Sequence, residues 1–251
     1  MTKSQPTNKH LKLEKTHDFS ASDNPSLAVV FIHGIASDSS TFGHALEHLE
    51  KNSDLAKVRF ITFDLLGSGK SYGNDELNYD YKDQLEALNN SIEALKLTVP
   101  LVLIGHSMGT LIVTRYANNY KQKVERLILL SPPIYTTSDL EDASFAVGMK
   151  FFKDAVSVKN RGILEEKSFN NSMEKIVLSK DNYQVLANTK IPTVLIYGDM
   201  DQFIGAQNIP ELLKKNPNIS AIKTIGGHGV SRDKFTKIEK ILEEVLDAQT
   251  L

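Results

Sequence analysis

The pentapeptide Gly105-His106-Ser107-Met108-Gly109 constrains this chain more than any other stretch. The run before it, Val99-Pro100-Leu101-Val102-Leu103-Ile104, is apolar and β-branched. The run after it, Thr110-Leu111-Ile112-Val113-Thr114-Arg115-Tyr116-Ala117, has a helical pattern. G-x-S-x-G between a strand and a helix is the pattern of a nucleophile elbow, a turn sharp enough to hold the serine hydroxyl clear of the backbone. Glycines on either side of Ser107 let strand and helix approach without Cβ clashes. A plain Gly-Ser turn is the alternative, and the rest of the chain weighs against it.

Six apolar runs read as strands, at 27–32, 58–63, 101–104, 126–130, 193–197 and 220–225. Between them lie helical patterns at 41–50, 79–97, 108–120, 210–215 and 232–248. Alternation of this kind predicts an α/β fold with a mostly parallel central sheet and helices on both faces. A weaker run at 11–15 is expected to add an antiparallel edge strand. The segment between Pro133 and Ile191 breaks the rhythm, with apolar residues grouped at Phe145, Met149, Phe151 and Phe152 and again at Met173, Ile176, Val177 and Leu178. It is too long for a simple crossover. It is expected to form a helical cap over the strand C-termini, where open α/β sheets bind ligands. The expected organisation is therefore a core of residues 1–133 and 191–251 interrupted by a cap of residues 134–190; helices packed on the sheet side are the alternative.

With 251 residues and 41% hydrophobic content, the chain is long enough for one sizeable α/β domain. It has no cysteine, which excludes thiol nucleophiles, disulfides and cysteine-zinc sites. A net charge of −2 gives no basic footprint for nucleic acid. The polar N-terminal segment lacks the apolar stretch of a secretory signal, and no apolar run reaches membrane-spanning length. A cytoplasmic protein with no membrane span is expected.

A serine hydroxyl is a poor nucleophile until a base takes its proton, and the base needs a third group to hold its tautomer. Asp201 follows the fifth strand in Gly198-Asp199-Met200-Asp201, and His228 follows the sixth in Gly226-Gly227-His228-Gly229. Their order, Ser then Asp then His, is the order such an elbow takes with its partners. Of the seven histidines, His228 alone lies downstream of Ser107. Asp199 and Asp201 both follow the strand, and one of the two suffices as a turn former. The oxyanion donors expected are the backbone N–H groups of Met108, after the nucleophile, and Ile35, after His33-Gly34. His33 is read as structural, and His106 as a packing or orienting residue.

These motifs together resemble the α/β-hydrolase superfamily, in its branch of small capped serine esterases and lipases. The likeness runs from Leu27 onward. Val29-Val30-Phe31-Ile32-His33-Gly34 resembles the family's oxyanion strand and loop. Phe63-Asp64-Leu65-Leu66-Gly67-Ser68-Gly69-Lys70-Ser71 resembles its D-x-x-G-x-G-x-S turn, and Gly227-His228 its histidine loop. Gly198-Asp199-Met200-Asp201 resembles its G-x-x-D acid turn, which favours Asp201, although Gln202 stands where many relatives carry proline. The resemblance implies ester hydrolysis through an acyl-enzyme, with a small-molecule ester as partner and no metal or organic cofactor. Cap aromatics and methionines suggest that the ester has an apolar part. Thioester, peptide or C–C hydrolysis and cofactor-free perhydrolysis use the same triad. A slow, ligand-sensing hydrolase-like protein and a scaffold without chemistry are readings from other classes.

Two further motifs are declined. Gly67-Ser68-Gly69-Lys70-Ser71 imitates the end of a phosphate loop, but Asp64 stands where the first glycine belongs, and a turn-like 72–75 follows instead of a helix N-terminus. His44-Ala45-Leu46-Glu47-His48 matches a zinc pattern, yet a solvated histidine pair on a surface helix explains it equally well.

Overall fold

In the computed structural model the described residues are 11–71, 76–120, 124–159 and 165–248. The first ten residues with His10, the 72–75 turn and the side chain of Phe151 lie outside the described residues. Seven strands form one sheet: β1 (Glu14–Ser20), β2 (Leu27–Ile32), β3 (Val58–Asp64), β4 (Leu101–His106), β5 (Val124–Leu130), β6 (Thr193–Gly198) and β7 (Ile219–Thr224). Their order is β1-β3-β2-β4-β5-β6-β7. All neighbours are parallel except β1, which runs antiparallel to β3. The helices are α1 (Gly43–Leu49), α2 (Tyr81–Ala94), α3 (Met108–Asn119), α4 (Thr137–Glu141), α5 (Ala143–Lys159), α6 (Glu166–Ser172), α7 (Asn182–Ala187), α8 (Ile209–Lys215) and α9 (Arg232–Asp247). Among the described residues no helix is long and apolar enough to cross a membrane.

β2 is apolar at every position because both sheet faces are covered there. Ala28, Val30 and Ile32 of β2 enter the core beneath α2 and α3, while Leu27, Val29 and Phe31 enter the core beneath α1 and α9. The stripe Phe235, Ile238, Ile241, Leu242 and Val245 seats α9 on that second face. α2 begins later than the pattern suggested, at the Asp80 N-cap, and ends before Lys96, whose φ of 51° leaves the helical region. β1 starts later than expected. It is a polar edge strand joined to β3 by backbone pairing, an Arg59–Asp18 ion pair and a Thr16–Thr62 hydroxyl contact, none of which leaves an apolar signature.

The chain passes from β2 to β3 on one side, then returns to place β4 on the other side of β2. Strand order reverses there, and the crevice beyond the C-termini of β2 and β4 is where an open α/β sheet binds ligands.

The segment after β5 divides in two. α6, a π-helical turn at Met173–Val177 and α7 bury Phe169, Met173, Ile176, Tyr183 and Leu186 in the main core. α7 is also tied to α3 by an Arg115–Asp181 ion pair. α5 instead leaves most of its described side chains in solvent and turns Phe145, Met149 and Phe152 inward. Phe145 meets Tyr135 edge-on, and Phe152 meets Phe203.

Candidate active site

Ser107 stands between β4 and α3 with φ 51° and ψ −121°, a backbone conformation that costs energy for any residue with a Cβ. Its N–H donates to Leu130 O at 2.9 Å, which anchors the turn to β5. The flanking glycines are required by contact. A Cβ on Gly105 would lie 2.6 Å from Thr110 Cα, and one on Gly109 would collide with the carbonyl oxygens of Ile32 and His33. α3 therefore starts hard against the end of β2.

The loop after β2 lies against the serine, since a Cβ on Gly34 would fall 2.9 Å from Ser107 Cβ. His33 orients this loop. Leu65 N–H donates to its Nε2 at 2.8 Å, so the ring proton sits on Nδ1 and donates to Gly34 O at 2.8 Å. Burial keeps His33 below the ordinary histidine pKa, in the neutral form this pattern needs. Carbonyl and N–H point opposite ways across a trans peptide, so fixing Gly34 O also fixes the direction of Ile35 N–H. Met108 N–H is the first of the unpaired amides at the α3 N-terminus. Neither amide has a protein acceptor among the described residues. Asp64 braces the same region by accepting from Ser39 N–H and Lys70 N–H, both at 2.8 Å.

Across the pocket, His228 Nδ1 lies 3.0 Å from both oxygens of Asp201. Burial pushes the Asp201 carboxyl up, but the hydrogen bond and charge of His228, with the Ser131 hydroxyl and Phe203 N–H, outweigh it and hold the group below the ordinary carboxylate value. Asp199 does not face the imidazole; it accepts from Gly226 N–H at 2.9 Å and shapes the loop. His106 Nε2–H donates to His228 O at 2.8 Å. Burial, aided by His228 and Lys234, pushes the His106 pKa down to about 3, so it stays neutral and serves as an orienting group.

Lys234, in the first turn of α9, was not singled out by sequence. It is 0% exposed. Its ammonium donates to Ser131 Oγ at 2.7 Å and to the carbonyls of Gly227, His228 and Gly229 at 2.8, 3.3 and 2.8 Å. A lysine early in an amphipathic helix reads as solvated, and no local signal marks it otherwise.

Ser107 and His228 line one narrow pocket of about 20 Å³ with Ile35, Met149, Phe152 and Phe203. No hydrogen bond joins the serine hydroxyl to the imidazole among the described residues; such bonds commonly tighten only around substrate. Tyr135, Met149 and Phe203 also wall an open cavity of about 530 Å³ beside Asp201. The paired histidines on α1 take no part: His44 is exposed and His48 Nε2 lies 3.1 Å from Glu239. No group of three metal-ligating side chains occurs among the described residues.

Residues 28–170 match a family model described as alpha/beta hydrolase fold. A probable lysophospholipase of Arabidopsis thaliana, BODYGUARD 1, is 32% identical over 108 residues, 43% of this chain and 23% of that protein. The chain thus aligns with about a quarter of that relative's length. A pimeloyl-acyl-carrier-protein methyl ester esterase of Wigglesworthia glossinidia brevipalpis is 27% identical over 80% of this chain and 84% of its own. Among solved structures, an esterase from Exiguobacterium antarcticum superposes with a TM-score of 0.69 at 20% identity, covering 92% of this chain and 94% of that one. MenH from S. aureus superposes with a TM-score of 0.71 at 17% identity, covering 94% and 98%.

Proposed function

The chain belongs to the α/β-hydrolase family, and from that premise we propose that it is a serine hydrolase cleaving a carboxylic ester through Ser107, His228 and Asp201. The observation that carries this reading is His228 held through Nδ1 by an ionised Asp201, at the wall of the pocket that contains Ser107. The ionised carboxylate accepts the Nδ1 proton. That leaves the Nε2 lone pair to take the Ser107 proton as the hydroxyl attacks an acyl carbonyl.

Negative charge then develops on the carbonyl oxygen, and the amides of Ile35 and Met108 receive it as the oxyanion hole. His228 returns its proton to the leaving alkoxide. A water activated by the same imidazole releases the acid and frees Ser107. The residues suffice for each step without a metal or organic cofactor.

Residues 134–190 act as the cap in this reading. α5 and the Met173–Val177 turn supply Met149, Phe152, Met173 and Val177 to the pocket, an apolar surface suited to an acyl chain or an apolar alcohol. Methyl ester esterase and lysophospholipase names among relatives agree with ester chemistry.

The test is fluorophosphonate labelling with peptide mapping, beside a short-to-long p-nitrophenyl ester series. Label on Ser107 and ester turnover that falls about a millionfold in Ser107→Ala are expected. Folded wild-type protein that takes no label overturns the reading. A panel including thioesters and amides then ranks the scissile bonds.

A further inference from the structure

Lysine is rarely buried, and when it is, it usually meets a carboxylate. Lys234 is fully buried and pairs with no carboxylate at ion-pair distance among the described residues. Its donors are instead taken up by the carbonyls of three consecutive loop residues, with His228 in the middle, and by Ser131 Oγ. The Ser131 hydroxyl is also among the groups that hold the Asp201 carboxyl below its ordinary value, and the φ of 50° at Ser131 marks a turn that costs energy. Ser131 N–H is fixed to Ile196 O at 2.8 Å, so the hydroxyl projects from the paired ends of β5 and β6. One ammonium thus touches the loop that carries the proposed base and the hydroxyl that supports its acid.

We propose that Lys234 is a positioning residue that locks His228 and Asp201 into one register, as the shared donor to the histidine loop and to Ser131. The role rests on the serine-hydrolase reading above. Helix α9 is packed by its apolar stripe whether or not Lys234 is present, so seating the helix does not require this contact. The lysine connects that helix to Gly227, His228 and Gly229, where a Cβ on either glycine would meet nothing within 4 Å, while the Gly227 carbonyl lies against Gly198 and the His228 ring meets Phe203 and His106.

The experiment is Lys234→Met, which keeps length and removes charge and donors. The readouts are kcat and KM on a p-nitrophenyl ester, thermal unfolding, and wild-type fluorophosphonate labelling alongside. The expected result is a fall in kcat of about 100-fold, the scale of a 1 Å misplacement, with KM within about twofold. A wild-type kcat, or a loss carried by KM with kcat unchanged, overturns the proposal. If Lys234→Met does not fold, Ser131→Ala carries the test by cutting the bridge to Asp201 while leaving the lysine and its three carbonyls. A loss of about three- to tenfold in kcat is expected there, the worth of one hydrogen bond, and wild-type kcat overturns the proposal. Wild-type protein that takes no label fails the hydrolase reading itself, an outcome distinct from a labelled wild type with an indifferent Lys234.

Discussion

Ser107 and His228 share a pocket, yet the loops that bring them there are held by different forces. Around Ser107 the restraint is steric: Gly34 and Gly109 lie so close to their neighbours that a single methyl group has no room. Around His228 the loop touches Gly198 closely, but Gly227 and Gly229 have room and the main restraint is polar. Asp199, Asp233, His106 and Lys234 between them bond Ile225, Gly226, Gly227, His228 and Gly229. A nucleophile that must sit in a strained turn gains from close packing, which resists relaxation. A base that must accept and return a proton is better held by hydrogen bonds, which also set its tautomer. His106 is the seam, because it lies on β4 beside Ser107 and holds the carbonyl of His228.

The largest test of this contrast is on the polar side. Asp201→Asn keeps the shape but offers the wrong partner to Nδ1. It should lower kcat by about 10⁴-fold while leaving thermal stability nearly unchanged. A drop of less than about tenfold would remove Asp201 from the proposed triad. Gly109→Ala is the steric counterpart. It should destabilise the protein by about 3 kcal/mol, seen in chemical unfolding, and reduce turnover as well, because α3 must back away from β2. Unchanged stability would mean that the elbow is looser than its contacts imply.

Acid sensitivity probes the seam. His106 has a folded pKa of about 3 against an ordinary value of 6.5, and His33 is lowered in the same direction, both by burial. A base whose folded pKa is depressed contributes its stability fully above the unfolded value and loses it as pH falls, because the unfolded chain takes up the proton first. Unfolding free energy should therefore decline below about pH 6.5, by about 1.4 kcal/mol per pH unit for each such histidine. Denaturant titrations at pH 7, 6 and 5 measure this, and His106→Gln should make the slope shallower by about one proton. A flat profile would show that the histidines are not held neutral. The smallest effect belongs to Asp199→Ala, which removes one partly exposed bond to Gly226. A loss of about 1 kcal/mol in stability and a few-fold fall in kcat are expected.

The parts of this site that sequence revealed are those whose chemistry has a local spelling. The elbow pattern needs glycine at 105 and 109, and the acid and base of the proposed triad need loops after strands, so Ser107, Asp201 and His228 are expected in that order. The G-x-x-D turn favours Asp201 over Asp199, and in the structure Asp201 contacts His228 while Asp199 accepts from Gly226 N–H. The buried strands were legible because both faces are apolar. β1 was only partly so, since half-exposed side chains carry no two-residue alternation. At β7 the apolar run suggested an extra residue, but Ile225 lies past the last ladder bond and is 78% exposed. Lys234 and Ser131 were invisible because their significance comes from residues about a hundred positions apart meeting in space.

The edges of the sheet bear on how such a chain survives its own folding. Six parallel strands can pair only after long crossovers close, so they assemble slowly and leave open ladder groups exposed while they do. β1 closes one edge with Glu14, Lys15, His17 and Asp18, and its pairing to β3 slips between Lys15 and His17. Charge and a broken ladder make a poor template for a second chain. The strand that contributes least to the core thus guards the molecule against association during the interval when its sheet is incomplete.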